Sequence, residues 1–332
     1  MAEKTTSNHH PLAPPTFREV LKAEKRIRPY LEPTPTLTPP ALEELMGSTV
    51  HIKCENLLPI RAFKVRGGIN LVGTETEMGT CEATFVTAST GNHGQSIAYA
   101  SRLFGASAYI YVPENPNPVK AAAIRRLGGN VVETGADYDQ AREAAERFAA
   151  ERGFRYIHPV EEPLLLAGVA TATLELMRAH PELEALFVPV GAGSGACGAS
   201  IVAHTINPDL KVVGVQAQGA PSVHNSWREG RVIETPSVST VAEGLATRVP
   251  YPYPLAILRE HLHDFLLVSD GEMQEAMRIL YDVSGQIAEE AGAAALAAAL
   301  KLKEGLAGRS VGVILSGGNV PREHVAQVLK GD

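Results

Sequence analysis

Cysteine is scarce in this chain, with three residues among 332: Cys54, Cys81 and Cys197. They are odd in number, widely spaced and without a CxxC or Cys/His pattern, which excludes a disulfide frame and gives no structural zinc motif. Basic charge is not in excess either: 30 Lys and Arg stand against 37 Asp and Glu, a net charge of -7. Such a chain has no positive field to gather a phosphodiester backbone or an anionic membrane surface. Long apolar runs are missing. The most apolar stretch, Ala291 to Leu300, is alanine-rich and shorter than the roughly 20 residues a membrane helix needs, so it is read as a buried helix. The polar, Pro-rich stretch from Met1 to Pro15 has no apolar h-region and is expected to be a loosely ordered arm, not a signal peptide. With the scattered thiols, this points to the cytoplasm. No repeat with a period of about 20 to 50 residues is seen, against a solenoid.

What is present is ordinary globular composition, 45% hydrophobic and 20% charged. The length exceeds what one core usually serves and fits one large α/β unit or two interleaved lobes. Short Val- and Ile-rich runs recur at Thr84–Thr87, Tyr109–Val112, Leu186–Val190, Lys211–Val215 and Val311–Leu315. Their hydrophobicity is continuous instead of alternating, which suits strands buried on both faces in mostly parallel sheets covered by helices. Helices are predicted between them: Gly94–Phe104 closed by Gly105, Pro118–Leu127 closed by Gly128, and Asp137–Glu151 closed by Gly153, the last with Asp137 and Gln140 in capping-box spacing. Residues 84–161 are read as a small mobile lobe inserted into a large one made of 1–83 and 162–332. The Pro-rich stretch Pro250–Pro254 is expected to be a surface loop.

Four segments carry chemistry. Phe63-Lys64-Val65-Arg66 holds a lysine whose amine would react with an aldehyde only when deprotonated, through desolvation or a cationic neighbour; Phe63, Val65 and Arg66 are candidates for both. Ser89-Thr90-Gly91-Asn92-His93 sits between a strand and a helix, where hydroxyls and free amides would hold a carboxylate, the alternative being a plain N-cap by Ser89 or Thr90. Gly191-Ala192-Gly193-Ser194-Gly195 follows a strand and opens a small-residue helix, the setting of a phosphate cradle. It matches neither GxxxxGK[ST] nor a full dinucleotide fingerprint, because the third glycine is out of register and Gln216 follows the next strand where an acidic residue is wanted. Ser316-Gly-Gly-Asn319 again lies at a strand's C-terminal end, where α/β sheets put ligands; alone it would read as a glycine turn.

In order and wording these segments resemble the second fold type of pyridoxal-phosphate enzymes, the serine/threonine dehydratase and serine racemase group, over about Pro33 to Val320. The resemblance implies a two-lobed fold like the tryptophan synthase β chain, with pyridoxal 5'-phosphate as cofactor. It implies that Lys64, beside Phe63, carries the cofactor and takes the Cα proton, and that Ser89, Thr90, Gly91, Asn92 and His93 grip the substrate carboxylate. Asn92 is expected on the cofactor's phenolic oxygen, the loop Gly191, Ala192, Gly193, Ser194 and Gly195 on its phosphate, and Ser316 near its pyridine nitrogen. Gly244, Glu289 and Asn319 complete the expected cofactor contacts. A neutral hydroxyl at that nitrogen favours prompt loss of a β-substituent. The implied reaction is β-elimination from a 3-hydroxy amino acid such as L-threonine or L-serine, giving a 2-oxo acid and ammonia. The alternatives are racemisation or β-replacement on the same fold, or a non-catalytic protein holding a phosphorylated metabolite.

Departures from the family pattern fall at Arg61, where glycine is usual, at Ala62, where serine is usual, and at Thr90, whose methyl group stands where re-protonation would occur. Gln216 and Ser222 replace the acidic ligands of a divalent cation found in many relatives, so no metal is expected there. Relatives are dimers or tetramers, hence a homo-oligomer is expected. The chain ends soon after Asn319, and no isoleucine-sensing domain is expected.

Overall fold

The computed structural model describes residues 12–79, 83–116 and 118–331. Among the described residues ten strands form two sheets. The larger runs β1 (Thr36–Leu37), β2 (Thr49–Cys54), β10 (Ser310–Leu315), β7 (Ala185–Pro189), β8 (Lys211–Ala217), β9 (Asp264–Val268); the smaller runs β5 (Asn130–Glu133), β4 (Ser107–Val112), β3 (Thr84–Ala88), β6 (Arg155–Tyr156). Every pairing is parallel except β1 with β2. The five predicted apolar runs supply β3, β4, β7, β8 and β10. Both β7 and the last five residues of β10 are buried on both faces, as continuous hydrophobicity requires.

Helices cover the sheets. Glu290–Lys301 is almost wholly buried, and its alanines let it lie against β7, β8 and β10. The helix Tyr138–Arg152 is capped by Asp137, which accepts from the Gln140 amide at 2.9 Å, and it ends on Gly153 at φ 67°. The reciprocal bond of the predicted box is shifted by one residue, since Gln140 Oε1 accepts from the Ala136 amide. Pro250–Pro254 corrects the expectation of a surface loop: Pro252 starts a helix, Pro252–His261, in which Tyr253, Pro254 and Leu255 are buried. Proline at the first helical position loses no hydrogen bond, so a Pro-rich stretch can open a helix as readily as a loop. Of the expected N-terminal arm, residues 1–11 lie outside the described residues, while Thr16 closes a capping box on the helix Phe17–Ile27. Cys54 and Cys197 are buried free thiols, and Cys81 lies outside the described residues. Among the described residues no helix is long and apolar enough to cross a membrane.

One hydrophobic core joins the helix Lys64–Glu77 to the smaller sheet. It combines Val65, Ile69 and Val72 with Phe85 of β3, Ile110 of β4 and Ile97 of the helix Asn92–Leu103. The start of the Lys64 helix is thereby held beside the turn that follows β3, and Ser96 Oγ donates to the Lys64 carbonyl at 2.6 Å.

Candidate active site

Parallel strands deliver their connecting loops to one edge. Ser89 follows β3, Gly191 follows β7 and Ser316 follows β10, and all three loops converge on Lys64. The lysine is the first residue of its helix and is half-buried. Its Nζ donates to Ser194 Oγ at 2.6 Å and lies 5.3 Å from the Phe63 ring centre. Burial lowers its pKa from 10.5 to about 8, opposed only by Cys197. Arg66 is not the cause. Its guanidinium is fully buried and turned away, bonded to Glu55 at 2.6 and 2.9 Å and to Glu175 at 2.6 and 2.8 Å. Lys53 shares Glu175 at 2.6 Å, so two cations face two carboxylates and the charge closes within the cluster. Of the two proposed routes to an unprotonated Lys64, desolvation is the one that operates.

The glycine loop turns on Gly193, whose φ of 108° suits glycine and which starts the helix Ser194–Ile206 with no side-chain cap. The first amides of that helix therefore remain available for an anion. A Cβ on Gly195 would meet the Phe63 ring at 3.2 Å, and one on Gly191 would collide with the Gly244 carbonyl oxygen. Ala192 is half-buried beside them. A cleft is bordered by Phe63, Gly195 and Ser316 together.

The turn after β3 is not an ordinary capped helix start. Gly91 is the N-cap, without a side-chain cap bond, and Ser89 Oγ only accepts from the Gly91 amide at 3.2 Å. Ser89, Thr90 and Gly91 are half-buried, and a Cβ on Gly91 would meet open space. His93 is buried, with Nε2 3.0 Å from Thr87 Oγ1. Since the Thr87 hydroxyl donates to the Ile157 carbonyl, His93 Nε2 is the donor in that pair. Burial, then the Lys64 charge, lowers its pKa to about 3, so the ring is neutral and braces the turn from below.

Asn92 links the two sheets. It donates to Glu289 Oε1 at 2.8 Å and accepts from Asn319 Nδ2 at 2.7 Å; Asn319 also donates to the Ile60 carbonyl. Burial raises the Glu289 pKa to about 7, partly offset by the Asn92 bond. Ser316 is buried with its hydroxyl 3.4 Å from the Ala291 carbonyl, and its own carbonyl accepts from the Phe63 amide at 3.0 Å. Arg61 has φ 55°, the left-handed region that glycine favours, while its guanidinium is exposed and its carbonyl accepts from the Gly318 amide at 2.9 Å. Ala62 is buried and bridges to Gly317. Gln216 Oε1 accepts from the His224 amide, while its Nε2 is buried without a hydrogen-bond partner; the Ser222 hydroxyl donates to the Thr247 carbonyl.

The model of the pyridoxal-phosphate dependent enzyme family matches residues 27–317. The chain belongs to that family. Relatives of this enzyme include an L-threo-3-hydroxyaspartate ammonia-lyase of Saccharomyces cerevisiae, 33% identical over 96% of this chain and 97% of the relative. A serine racemase of Dictyostelium discoideum is 34% identical over 96% and 99%. Among solved structures, maize serine racemase superposes with a TM-score of 0.89 at 28% identity, covering 96% of this chain and 98% of the other. The fold is therefore the two-lobed α/β fold type II, and pyridoxal phosphate is the enzyme's cofactor. The site suits it on its own terms: an amine near neutrality faces a helix start free of side-chain caps, and the glycine walls leave no room for a Cβ.

Two residues at the site escaped the sequence reading. His158 follows β6, and its pKa falls to about 4 through burial and the charges of Arg142 and Lys64. Its ring packs edge-on against Tyr251 at 4.5 Å. The usable signal was position, a histidine just past the short strand Arg155–Tyr156. Cys197 lies close enough to influence Lys64, and burial pushes its thiol up; nothing in its spacing marks it.

Proposed function

We propose that this enzyme is an ammonia-lyase that converts a 3-hydroxy amino acid to a 2-oxo acid and ammonia by β-elimination. The observation that carries the reading is the Lys64 amine, lowered to about 8 and held 2.6 Å from Ser194 at the mouth of the glycine loop. An amine so poised would hold the cofactor, and Lys64 is placed to take the substrate Cα proton, most effectively above about pH 8 where the amine is uncharged. Pyridoxal phosphate, when bound, supplies the electron sink for charge at Cα. The amides from Gly191 to Gly195 would hold its phosphate, and Ser89 to Asn92 would orient the substrate carboxylate. Asn92 is held by Glu289 and Asn319 for the cofactor's phenolic oxygen, with Gly244 closing the cradle beside Gly191. Ser316 offers a neutral hydroxyl at the ring nitrogen, which favours elimination. In this reading residues 84–161 are the mobile lobe that closes on substrate, and the enzyme works as a cytoplasmic homo-oligomer.

Racemisation is the second reading, favoured by the serine racemase relatives; the Thr90 methyl group weighs against it. The test is a panel of L-threonine, L-serine and L-threo-3-hydroxyaspartate scored for 2-oxo acid release, with chiral analysis of residual substrate. Conversion to oxo acid without D-isomer is expected. D-isomer accumulation without oxo acid overturns the elimination reading, and full turnover by Lys64→Ala overturns the role of the lysine.

A further inference from the structure

The large sheet has a second cluster of ligating side chains, at the edge opposite the active site. His51 lies in the first half of β2, His180 ends the helix Pro163–Ala179, and Glu182 stands just before β7. One atom from each lies within 4.8 Å of the other two. The geometry points to a divalent transition-metal site, zinc by ligand type, formed by His51, His180 and Glu182.

The distances carry the argument. Tetrahedral zinc with bonds of about 2.1 Å sets neighbouring ligand atoms about 3.4 Å apart. Glu182 Oε1 is 3.1 Å from His180 Nδ1 and 3.6 Å from His51 Nε2, on either side of that spacing. One carboxylate oxygen thus faces a nitrogen of each ring; the ring centres, now 3.8 Å apart, would spread to about 5 Å on a shared tetrahedral ion. His51 is also oriented as a metal-binding histidine is. Its Nδ1 is 3.0 Å from Thr38 Oγ1, so Nδ1–H donating there leaves the Nε2 lone pair facing Glu182 and His180. Among the described residues its one hydrogen-bond neighbour is the Ser310 hydroxyl, at 3.2 Å. Glu182 is exposed, which gives an ion a way in, and the fourth position is open to water or Ser310. No spacing motif announces the site, because its ligands come from two distant stretches of chain. Bound metal would tie β2 to the lead-in of β7, so its effect falls on stability and leaves the reaction unchanged.

The test uses cofactor-loaded enzyme freed of metal with EDTA and titrated with Zn²⁺ by calorimetry and thermal unfolding. One zinc per chain at micromolar affinity or tighter is expected, and at a hundredfold excess over Kd the unfolding midpoint should rise by roughly 4 °C. His180→Gln and Glu182→Gln, both at accessible positions, should weaken binding by about a hundredfold or more and keep metal-free turnover. Absence of stoichiometric binding by the unaltered enzyme overturns the site. So does wild-type affinity in both variants, which would place the zinc elsewhere.

Discussion

Replacing Lys64 by Met in the cofactor-free protein should stabilise it at neutral pH. The half-buried Lys64 amine, whose pKa falls from 10.5 to about 8, is disfavoured as a cation in the fold. That difference corresponds to about 3 kcal/mol, of which the lost Ser194 bond takes back about 1. The pH dependence has a definite sign. Below pH 8 the lysine is charged both folded and unfolded, so the full penalty is present. Between about 8 and 10.5 the unfolded chain binds the extra proton, so wild-type stability rises with pH. Methionine lacks that proton, and the advantage of Lys64→Met, about 2 kcal/mol at pH 7, should be gone by pH 10.5, where the Ser194 bond leaves the wild type ahead by up to about 1 kcal/mol. Urea unfolding of both proteins at pH 7, 9 and 10.5, followed by far-ultraviolet circular dichroism, measures the gap. A gap absent at pH 7, or unchanged at pH 10.5, refutes desolvation as the origin of the reactive amine.

Three further outcomes follow from the packing. Gly191→Ala should lower cofactor affinity at least tenfold by absorbance titration while the chain still folds, because its Cβ collides with the Gly244 carbonyl and must part the two loops; unaltered affinity counts against the cradle. Glu175→Gln leaves Arg66 and Lys53 facing Glu55 alone and should cost about 3 to 5 kcal/mol in urea unfolding; a loss under about 1 kcal/mol means the cluster reorganises freely. Arg61→Gly relieves a left-handed residue and should stabilise by about 0.5 to 1 kcal/mol, read as a higher urea midpoint at unchanged slope; destabilisation would show that the arginine side chain makes a compensating contact.

The central strands and the four loops were legible because each rests on a local rule. Continuous Val and Ile runs become β7 and β10, and glycine beyond a strand becomes a turn. Edge elements were not legible. β5 is only half-buried, so its residues carry little apolar signal, and β6 is two residues long. Asp264–Val268 became β9 through its pairing with β8, a long-range contact that no window of sequence contains. At the site, Lys64 was readable but the reason for its reactivity was not. Adjacency in sequence suggested Arg66 as the electrostatic influence, whereas helical geometry sends the two side chains in different directions and gives Arg66 its own carboxylates. The roles of Glu289 and Asn319 depend on their meeting Asn92, which stands 197 residues from the former and 227 from the latter.

That meeting point would constrain any motion of one sheet against the other. Asn92 rides on the helix that follows β3, and both its partners ride on loops of the larger sheet. Any hinge that swings one sheet relative to the other has to break, stretch or carry along this three-membered amide and carboxyl chain. Burial raises the Glu289 pKa to about 7, so protonation of this carboxyl would change the bond it accepts from Asn92.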